Sequence, residues 1–288
     1  MPESVESTVV GVVGAGTMGA GVAQCAAQAG YRVVVVDPAP EAVARARARV
    51  VESLKLSRLL ARGTATATPD EVLARVSWAQ RLDQLDGAGF VVECVTERQD
   101  LKEAVFAELD RCTPAEAVLA SCTSAIPIAG LAARTTRPDR VLGLHFMNPA
   151  PLKKTVEVVR APATSERAMN AALTLLRNLG KDAVVVPDGP GFVLNRVLML
   201  TIAEAAAAVT ADTTGAETVD AVFERCLGHP MGPLRTADLI GLDNVLDTLN
   251  VLRANTGDDR YRVPPVLADL VRNGHFGRKT GRGFHVYS

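Results

Sequence analysis

The segment from His145 to Glu157, HFMNPAPLKKTVE, gathers an imidazole, an amide (Asn148) and a carboxylate behind an apolar run, VLGLHF. A histidine beside a carboxylate is suited to moving a proton at neutral pH, because the carboxylate fixes its tautomer and stabilises the imidazolium. Near its start the same chain reads GVVGAGTMG, in which Gly14, Ala15, Gly16, Thr17, Met18 and Gly19 make a GxGxxG loop. Glycines at that spacing let the backbone turn tightly and come close to a pyrophosphate at a helix N-terminus. Asp37 closes the next β-branched run, at about the distance such a fingerprint requires. Its carboxylate can accept from both ribose hydroxyls and repels a 2′-phosphate, which favours NAD over NADP. A hydride acceptor and a proton acceptor in one chain point to oxidation of an alcohol or its reverse.

Other residues have a bland reading beside a chemical one. Ser121-Cys122-Thr123-Ser124 follows the apolar run AVLA and by itself is a polar strand end. Asn195, in PGFVLNR, is a polar residue near a domain seam, or an amide that bonds a substrate oxygen. Lys55, Arg58 and Arg62 fall at i, i+3 and i+7, a solvated helix face or a contact for substrate phosphates. Glu157 opens a VEVV run, where it is either a strand-edge charge or the partner of His145.

These residues need a scaffold, and the pattern supplies one. Val9–Val13, Val33–Val36, Gly89–Glu93, Ala117–Ala120, Val141–Phe146 and Ala183–Val186 read as short buried strands. Helical patterns lie between them, at Gly14 to Gly30, Glu41 to Arg62 and Leu101 to Arg111. The alternation predicts an α/β fold, a Rossmann-like doubly wound, mainly parallel sheet. The texture changes at PDGPGF. Beyond it Val193–Thr210, Glu217–Cys226, Arg235–Ala254 and Val263–Arg272 predict an all-helical C-terminal domain, so the expected domains are 1–187 and 188–288.

Composition narrows the class. The 288 residues are 48% hydrophobic and 22% charged with a net charge of −1, which gives no electrostatic reason to expect nucleic acid or an anionic membrane. The uncharged segment Thr8 to Tyr31 is too rich in glycine for a spanning helix, and the acidic MPESVES before it is no signal n-region. A cytoplasmic protein is the expectation. Five scattered cysteines without a CxxC pair fit buried reduced thiols, and four distant histidines show no metal-ligand spacing.

Several long motifs now align in order. VVGAGTMGAGVAQCAAQAG with VVVVDPAPEA, GLHFMNPAPLKKTVEVV, GKDAVVVPDGPGFVLNRVL, HPMGPLRTADLIGLD and GRKTGRGFHVYS resemble the 3-hydroxyacyl-CoA dehydrogenase family, in its short 3-hydroxybutyryl-CoA dehydrogenase-like branch, over almost the whole chain. The resemblance implies NAD-dependent interconversion of an (S)-3-hydroxyacyl thioester and its 3-ketoacyl thioester, in fatty acid metabolism. It implies that His145 is the general base and Glu157 its orienting partner, with Ser124 and Asn195 at the reacting oxygens and Asn148 supporting the site. Glu97 and Lys102 lie where the family touches the nicotinamide side of the cofactor, and the helical domain would make a homodimer.

Departures from the family pattern concern the acyl group and its carrier. Cys122 stands where Asn is common, Ala125 where a second Ser stands, and Met147 where Phe is frequent. Lys153-Lys154-Thr155 replaces Met-Lys-Leu, and Glu97-Arg98-Gln99-Asp100 differs from the usual Glu-Asn-Leu. They suggest a short or oxygenated acyl group, carried by CoA or alternatively by an acyl carrier protein in a specialised pathway. Two other readings are weaker. The other Rossmann-plus-helical dehydrogenase lineage needs a lysine shortly before the junction asparagine, and Gly189 to Leu194 holds nothing basic. A crystallin-like structural protein would be expected to lose the relay pair, and His145 and Glu157 are both present.

Overall fold

The computed structural model describes residues 8–60, 68–210 and 214–287, and the chain divides into two compact units, Met1–Asp188 and Gly189–Ser288. The first unit runs β1 (Val9–Val13), α1 (Thr17–Gln28), β2 (Arg32–Val36), α2 (Pro40–Leu60), α3 (Pro69–Leu73), β3 (Val76–Ala79), β4 (Ala88–Glu93), α4 (Gln99–Cys112), β5 (Val118–Ser121), α5 (Ile128–Ala132), β6 (Val141–Phe146), β7 (Thr155–Arg160), α6 (Glu166–Asn178) and β8 (Asp182–Pro187). The second holds α7 (Leu194–Thr210), α8 (Ala216–Leu227), α9 (Pro233–Ile240), α10 (Leu242–Thr256) and α11 (Pro265–Arg272). No helix among the described residues is long and apolar enough to cross a membrane.

One eight-stranded sheet, ordered β3-β2-β1-β4-β5-β6-β7-β8, organises the first unit. Every neighbouring pair is parallel except β6 with β7. Both faces are covered, so strand residues are apolar on successive positions instead of alternating. Val10, Val12, Val33, Val35, Val92, Ala120, Leu142, Leu144 and Val158 face a core shared with α1, α2 and α6. The intervening residues face the other way, where Gly11 lies close to Leu85 and Gly143 close to Ile128 of α5. The strand order reverses direction between β1 and β4, and a crevice at the C-terminal ends of those two strands is where open α/β sheets take their ligands.

In several places the elements differ from the sequence pattern. Residues 14–16 form a loop, and α1 starts only at Thr17. The edge strand β3 (VSWA) is too short and too polar to show as a β-branched run. The amphipathic helix α6 went unread between two apolar strands. The expected helix Arg235–Ala254 is two helices, because Gly241 has φ +101°, which ends α9 and redirects the chain into α10. The thiols also differ from expectation. Cys25 and Cys122 are buried, but Cys94 and Cys112 are half-buried and Cys226 is exposed.

The second unit is built on two buried carboxylates. Asp220 of α8 accepts from Leu234 N (2.8 Å) and Arg235 N (2.9 Å), which caps α9, and its Oδ2 meets His285 Nε2 at 2.8 Å. Asp238 of α9 accepts from Phe284 N, His285 N and the Tyr287 hydroxyl, each at 2.9 Å. Burial and the Asp238 carboxylate together push the Tyr287 hydroxyl well above the ordinary phenol value. The motif GRGFHVY thus docks as a tail on α8 and α9. Replacing Asp238 with Ala strands three donors, and bonds to a charged acceptor are each worth about 1.5–3 kcal/mol. The variant should lose about 3 kcal/mol or more of unfolding free energy in urea and become cleavable by trypsin at Arg282 under native conditions. A loss under about 1 kcal/mol with the tail still protected would contradict this account.

Candidate active site

The antiparallel pairing of β6 with β7 sets His145 directly opposite Glu157. Side chains on opposed residues of an antiparallel pair share a face within contact distance. His145 Nδ1 and Glu157 Oε2 lie 2.8 Å apart, both buried. An ionised carboxylate can only accept, so the proton belongs on Nδ1 and Nε2 is the basic nitrogen of the neutral ring. The loop between the strands is held by Lys181, whose Nζ donates to Ala150 O (2.7 Å), Pro151 O (3.3 Å) and Lys153 O (2.8 Å).

At the crevice between β1 and β4 the fingerprint loop makes its turn. Gly14 has φ +97°, and a Cβ there would stand 2.8 Å from Cys94 O; one on Gly19 would stand 1.9 Å from Gly14 O. Neither position admits a side chain. A Cβ on Gly16 would meet nothing within 4 Å, and Gly16 begins α1 with no side-chain cap. The loop therefore presents open backbone at a helix N-terminus, where an anion is stabilised. Asp37, at the end of β2, accepts from Ala15 N (2.8 Å) and Ala39 N (2.9 Å), so it ties the loop to the second strand. Its oxygens retain acceptor capacity for a ribose. The first half of the site fits a dinucleotide.

Ser124 is placed by a network of buried charge. Glu93, fully buried at the end of β4, accepts from Lys102 Nζ (2.7 Å), Ser121 Oγ (2.6 Å) and Val95 N (2.6 Å). Lys102, on α4 and 1% exposed, also donates to Val95 O at 3.1 Å and lies 3.5 Å from Glu97. Glu97 in turn accepts from Ser124 N (2.9 Å), Ala125 N (3.1 Å) and the Thr123 hydroxyl. Burial works against the Lys102 charge, but Glu93 and Glu97 outweigh it, and its pKa lies above the ordinary lysine value. The sequence expectation placed Glu97 and Lys102 at the nicotinamide side of the cofactor, and the structure adds that Glu97 carries the backbone of the Ser124 loop and that Lys102 is bonded to Glu93 beside it. Glu93 and Ser121 were not anticipated, because a Glu closing an apolar strand has no sequence signature of its own.

The remaining candidates are spread out. Asn148 lines a cleft of about 120 Å³ with Thr17, Gly21, Arg49, Ser53 and Pro149, and Arg49 donates to the Thr17 hydroxyl at 3.2 Å. Lys55 instead is exposed on another face of α2, on a separate groove with Arg47 and Trp78. The Arg58 side chain and Arg62 lie outside the described residues. Among the described residues, Arg49 is the basic residue of α2 that lines this cleft with Asn148. Asn195 stands in the first turn of α7, in the second unit, where the Tyr261 hydroxyl donates to Arg196 O at 3.2 Å.

Removing Lys102 tests the network. Lys102→Met would leave two carboxylates uncompensated, which for a buried pair costs about 3–5 kcal/mol. Denaturant unfolding should show that loss, and Glu93→Gln added to it should restore a large part. A loss below about 1 kcal/mol would mean that the charges are not coupled.

Comparison with known proteins completes the picture. Residues 9–189 match the family model of the 3-hydroxyacyl-CoA dehydrogenase NAD binding domain, and residues 191–287 match that of its C-terminal domain. A Bacillus subtilis protein described as "Probable 3-hydroxybutyryl-CoA dehydrogenase" is 44% identical over 277 residues, covering 96% of each chain. Among solved structures, FadB2 of M. tuberculosis superposes with a TM-score of 0.92 at 39% identity, covering 99% of this chain and 100% of that one. The (S)-3-hydroxybutyryl-CoA dehydrogenase PaaH1 from Ralstonia eutropha superposes at 0.89 with 40% identity and the same coverage. With a strand order, a fingerprint turn and a cross-strand His–carboxylate pair that all agree, this chain belongs to the 3-hydroxyacyl-CoA dehydrogenase family and is an NAD-dependent oxidoreductase.

Proposed function

We propose that this enzyme interconverts an (S)-3-hydroxyacyl-CoA of the 3-hydroxybutyryl type and the 3-ketoacyl-CoA, with His145 as its proton-transferring group. The observation that carries this is the 2.8 Å contact from Glu157 Oε2 to His145 Nδ1, since it leaves the basic nitrogen at Nε2. The relatives named for 3-hydroxybutyryl-CoA supply the substrate class, and PaaH1 supplies the (S) configuration. Gly14, Gly16, Thr17, Met18, Gly19 and Asp37 hold the cofactor, and NAD when bound supplies the hydride acceptor.

His145 Nε2 accepts the proton of the C3 hydroxyl as that carbon is oxidised, and Glu157 stabilises the imidazolium that forms. In the reducing direction the imidazolium returns the proton to the C3 oxygen. The Ser124 hydroxyl donates toward that oxygen as it gains charge. Glu97, through its hold on the backbone at Ser124 and Ala125, keeps the hydroxyl in place. Asn148 supports the same pocket, and Arg49 offers charge to the phosphates of the carrier. A homodimer is formed through the second unit, where Val222, Leu227 and Leu239 are more than half exposed and need a cover.

A second reading keeps the chemistry and exchanges CoA for an acyl carrier protein. It is favoured by Lys153 and Lys154, which are exposed on the loop between His145 and Glu157 and would complement an acidic carrier surface.

His145→Gln should bind NAD normally and lose at least roughly 10²- to 10⁴-fold in kcat, the usual contribution of a general base. Glu157→Gln should lose as much or less, and the double variant should be far from additive because the two residues act as one unit. Near-normal turnover by His145→Gln would overturn the assignment.

NADH oxidation should then be measured with acetoacetyl-CoA, longer 3-ketoacyl-CoAs and the matching carrier-protein thioesters. A kcat/KM above about 10⁴ M⁻¹s⁻¹ on acetoacetyl-CoA, ordinary for an enzyme on its own substrate, supports the CoA reading. Turnover confined to the carrier-protein thioesters would replace it with the second.

A further inference from the structure

Two of the five cysteines lie side by side at the cofactor crevice. The parallel ladder of β4 and β5 pairs Val92 with Ala120 and Glu93 with Ser121. It continues for one more bond, from Cys122 N to Glu93 O at 2.7 Å, so Cys94 and Cys122 are the next neighbours across the two strands. Adjacent strands run about 4.8 Å apart, inside the Cα separation of about 4.4–6.8 Å that a disulfide spans. Both side chains turn to the same face, since Cys122 belongs to the core under α1 and Cys94 packs against it. That face is the one opposite His145 and Glu157.

The two thiols already interact. The neighbouring Cys94 outweighs burial and lowers the Cys122 thiol below its ordinary value, while Cys122 and burial raise Cys94, whose own Sγ lies 3.9 Å from Val92 O. Two thiols on adjacent strands and one face supply both members that such chemistry needs, a nucleophilic cysteine and a resolving one. Cys94 is half-buried, so a small oxidant has a route to the pair.

The position couples the pair to the cofactor. The Cys94 carbonyl is what a Cβ on Gly14 would strike at 2.8 Å, and Cys94 N donates to Val13 O at 2.7 Å. Any rotation of the Cys94 backbone needed to close an S–S bond bears on the first turn of the fingerprint loop.

We propose that Cys94 and Cys122 form a reversible disulfide that weakens NAD binding, so that the enzyme is turned down by peroxide. The Cys122 thiolate attacks one oxygen of hydrogen peroxide, the O–O bond breaks, and a sulfenic acid and hydroxide result. Cys94 sulfur then attacks the sulfenic sulfur and hydroxide leaves. With the protons counted, two thiols and one peroxide give one disulfide and two waters. Thiol–disulfide exchange with a dithiol reverses it. The inference rests on NAD binding alone and goes beyond the assignment of the substrate.

The test uses the full-length protein with Cys112→Ser and Cys226→Ser, because Cys112 shares the tryptic peptide 112–134 with Cys122 and Cys226 is exposed. The reduced, NAD-free protein is treated with hydrogen peroxide, alkylated and digested without reduction. Mass spectrometry should find 112–134 joined to 82–98, which carries Cys94, about 2 Da below the summed thiol peptides. Calorimetric titration should show the NAD Kd raised by roughly tenfold, and dithiothreitol should restore it. By reciprocity, saturating NAD should slow the cross-link. Cys94→Ser and Cys122→Ser, each in the same background, should show no change in NAD affinity on peroxide treatment. Absence of the joined peptide overturns the proposal, and so does a joined peptide with unchanged NAD affinity. A peroxide effect that persists in Cys94→Ser would also overturn it.

Discussion

The site depends on one reversal of direction in an otherwise parallel sheet. β7 runs against β6, and only in that sense does a strand pairing return residue 157 to a position opposite residue 145. Had the two strands been parallel, a crossover of a dozen or more residues would have been needed and the carboxylate would have arrived from elsewhere. The tight return brings the acid back on a hydrogen-bonded ladder, and the ladder fixes the 2.8 Å contact more rigidly than a loop could. Beyond it β8 is again parallel to β7, so the reversal is local. Lys181, just before β8, spans back to three carbonyls of the 150–153 stretch and holds the connection in place.

The sheet also separates two kinds of chemistry by face. Residues 93, 121, 145 and 157 turn to the face opposite α1, where Lys102 and Ser121 meet Glu93, and Glu157 meets His145. Residues 94 and 122 turn to the side of α1, into an apolar core. A period of two along each strand is enough to do this, because one residue further on means the opposite face. Buried charge is tolerable on the first face because Glu93 accepts from three donors, the Lys102 ammonium among them. The Glu97 bonds to two successive backbone amides hold the loop at Ser124 by groups that every residue except proline supplies.

What was legible in the sequence was what periodicity and local spacing encode. The VVGVV and VLGLHF strands fall at their expected ends, and so does the GxGxxG turn, because β-branched runs and glycine constraints act over a few residues. The His145–Glu157 pairing was suggested by residue type and completed by register. What was not legible depends on faces and on distant partners. A buried lysine reads like any helix-surface lysine until Glu93 is seen beneath it, and Arg49 reads like the other arginines of α2 until Thr17 is seen beside it. The helix break at Gly241 was missed because an interior glycine is tolerated in many helices, and only its positive φ shows that the chain turns there.

The substitutions that distinguish this chain from the family pattern do not form a single set. Ala125 is fully buried and Cys122 belongs to the core under α1, so neither change is an adjustment of an exposed acyl-binding surface. A smaller residue at 125 is accommodated beside the Thr123 hydroxyl, which accepts from Ala125 N and Ile126 N. Lys153, Lys154 and Thr155, by contrast, are exposed, and substitutions there leave the interior untouched. An interior change alters how the Ser124 loop is supported and acts on kcat, whereas a surface change alters what docks and acts on KM. The carrier question is therefore carried by the lysines alone. The thiol at 122 answers a different question, since its neighbours are Cys94 and the backbone of Phe146, one residue from His145.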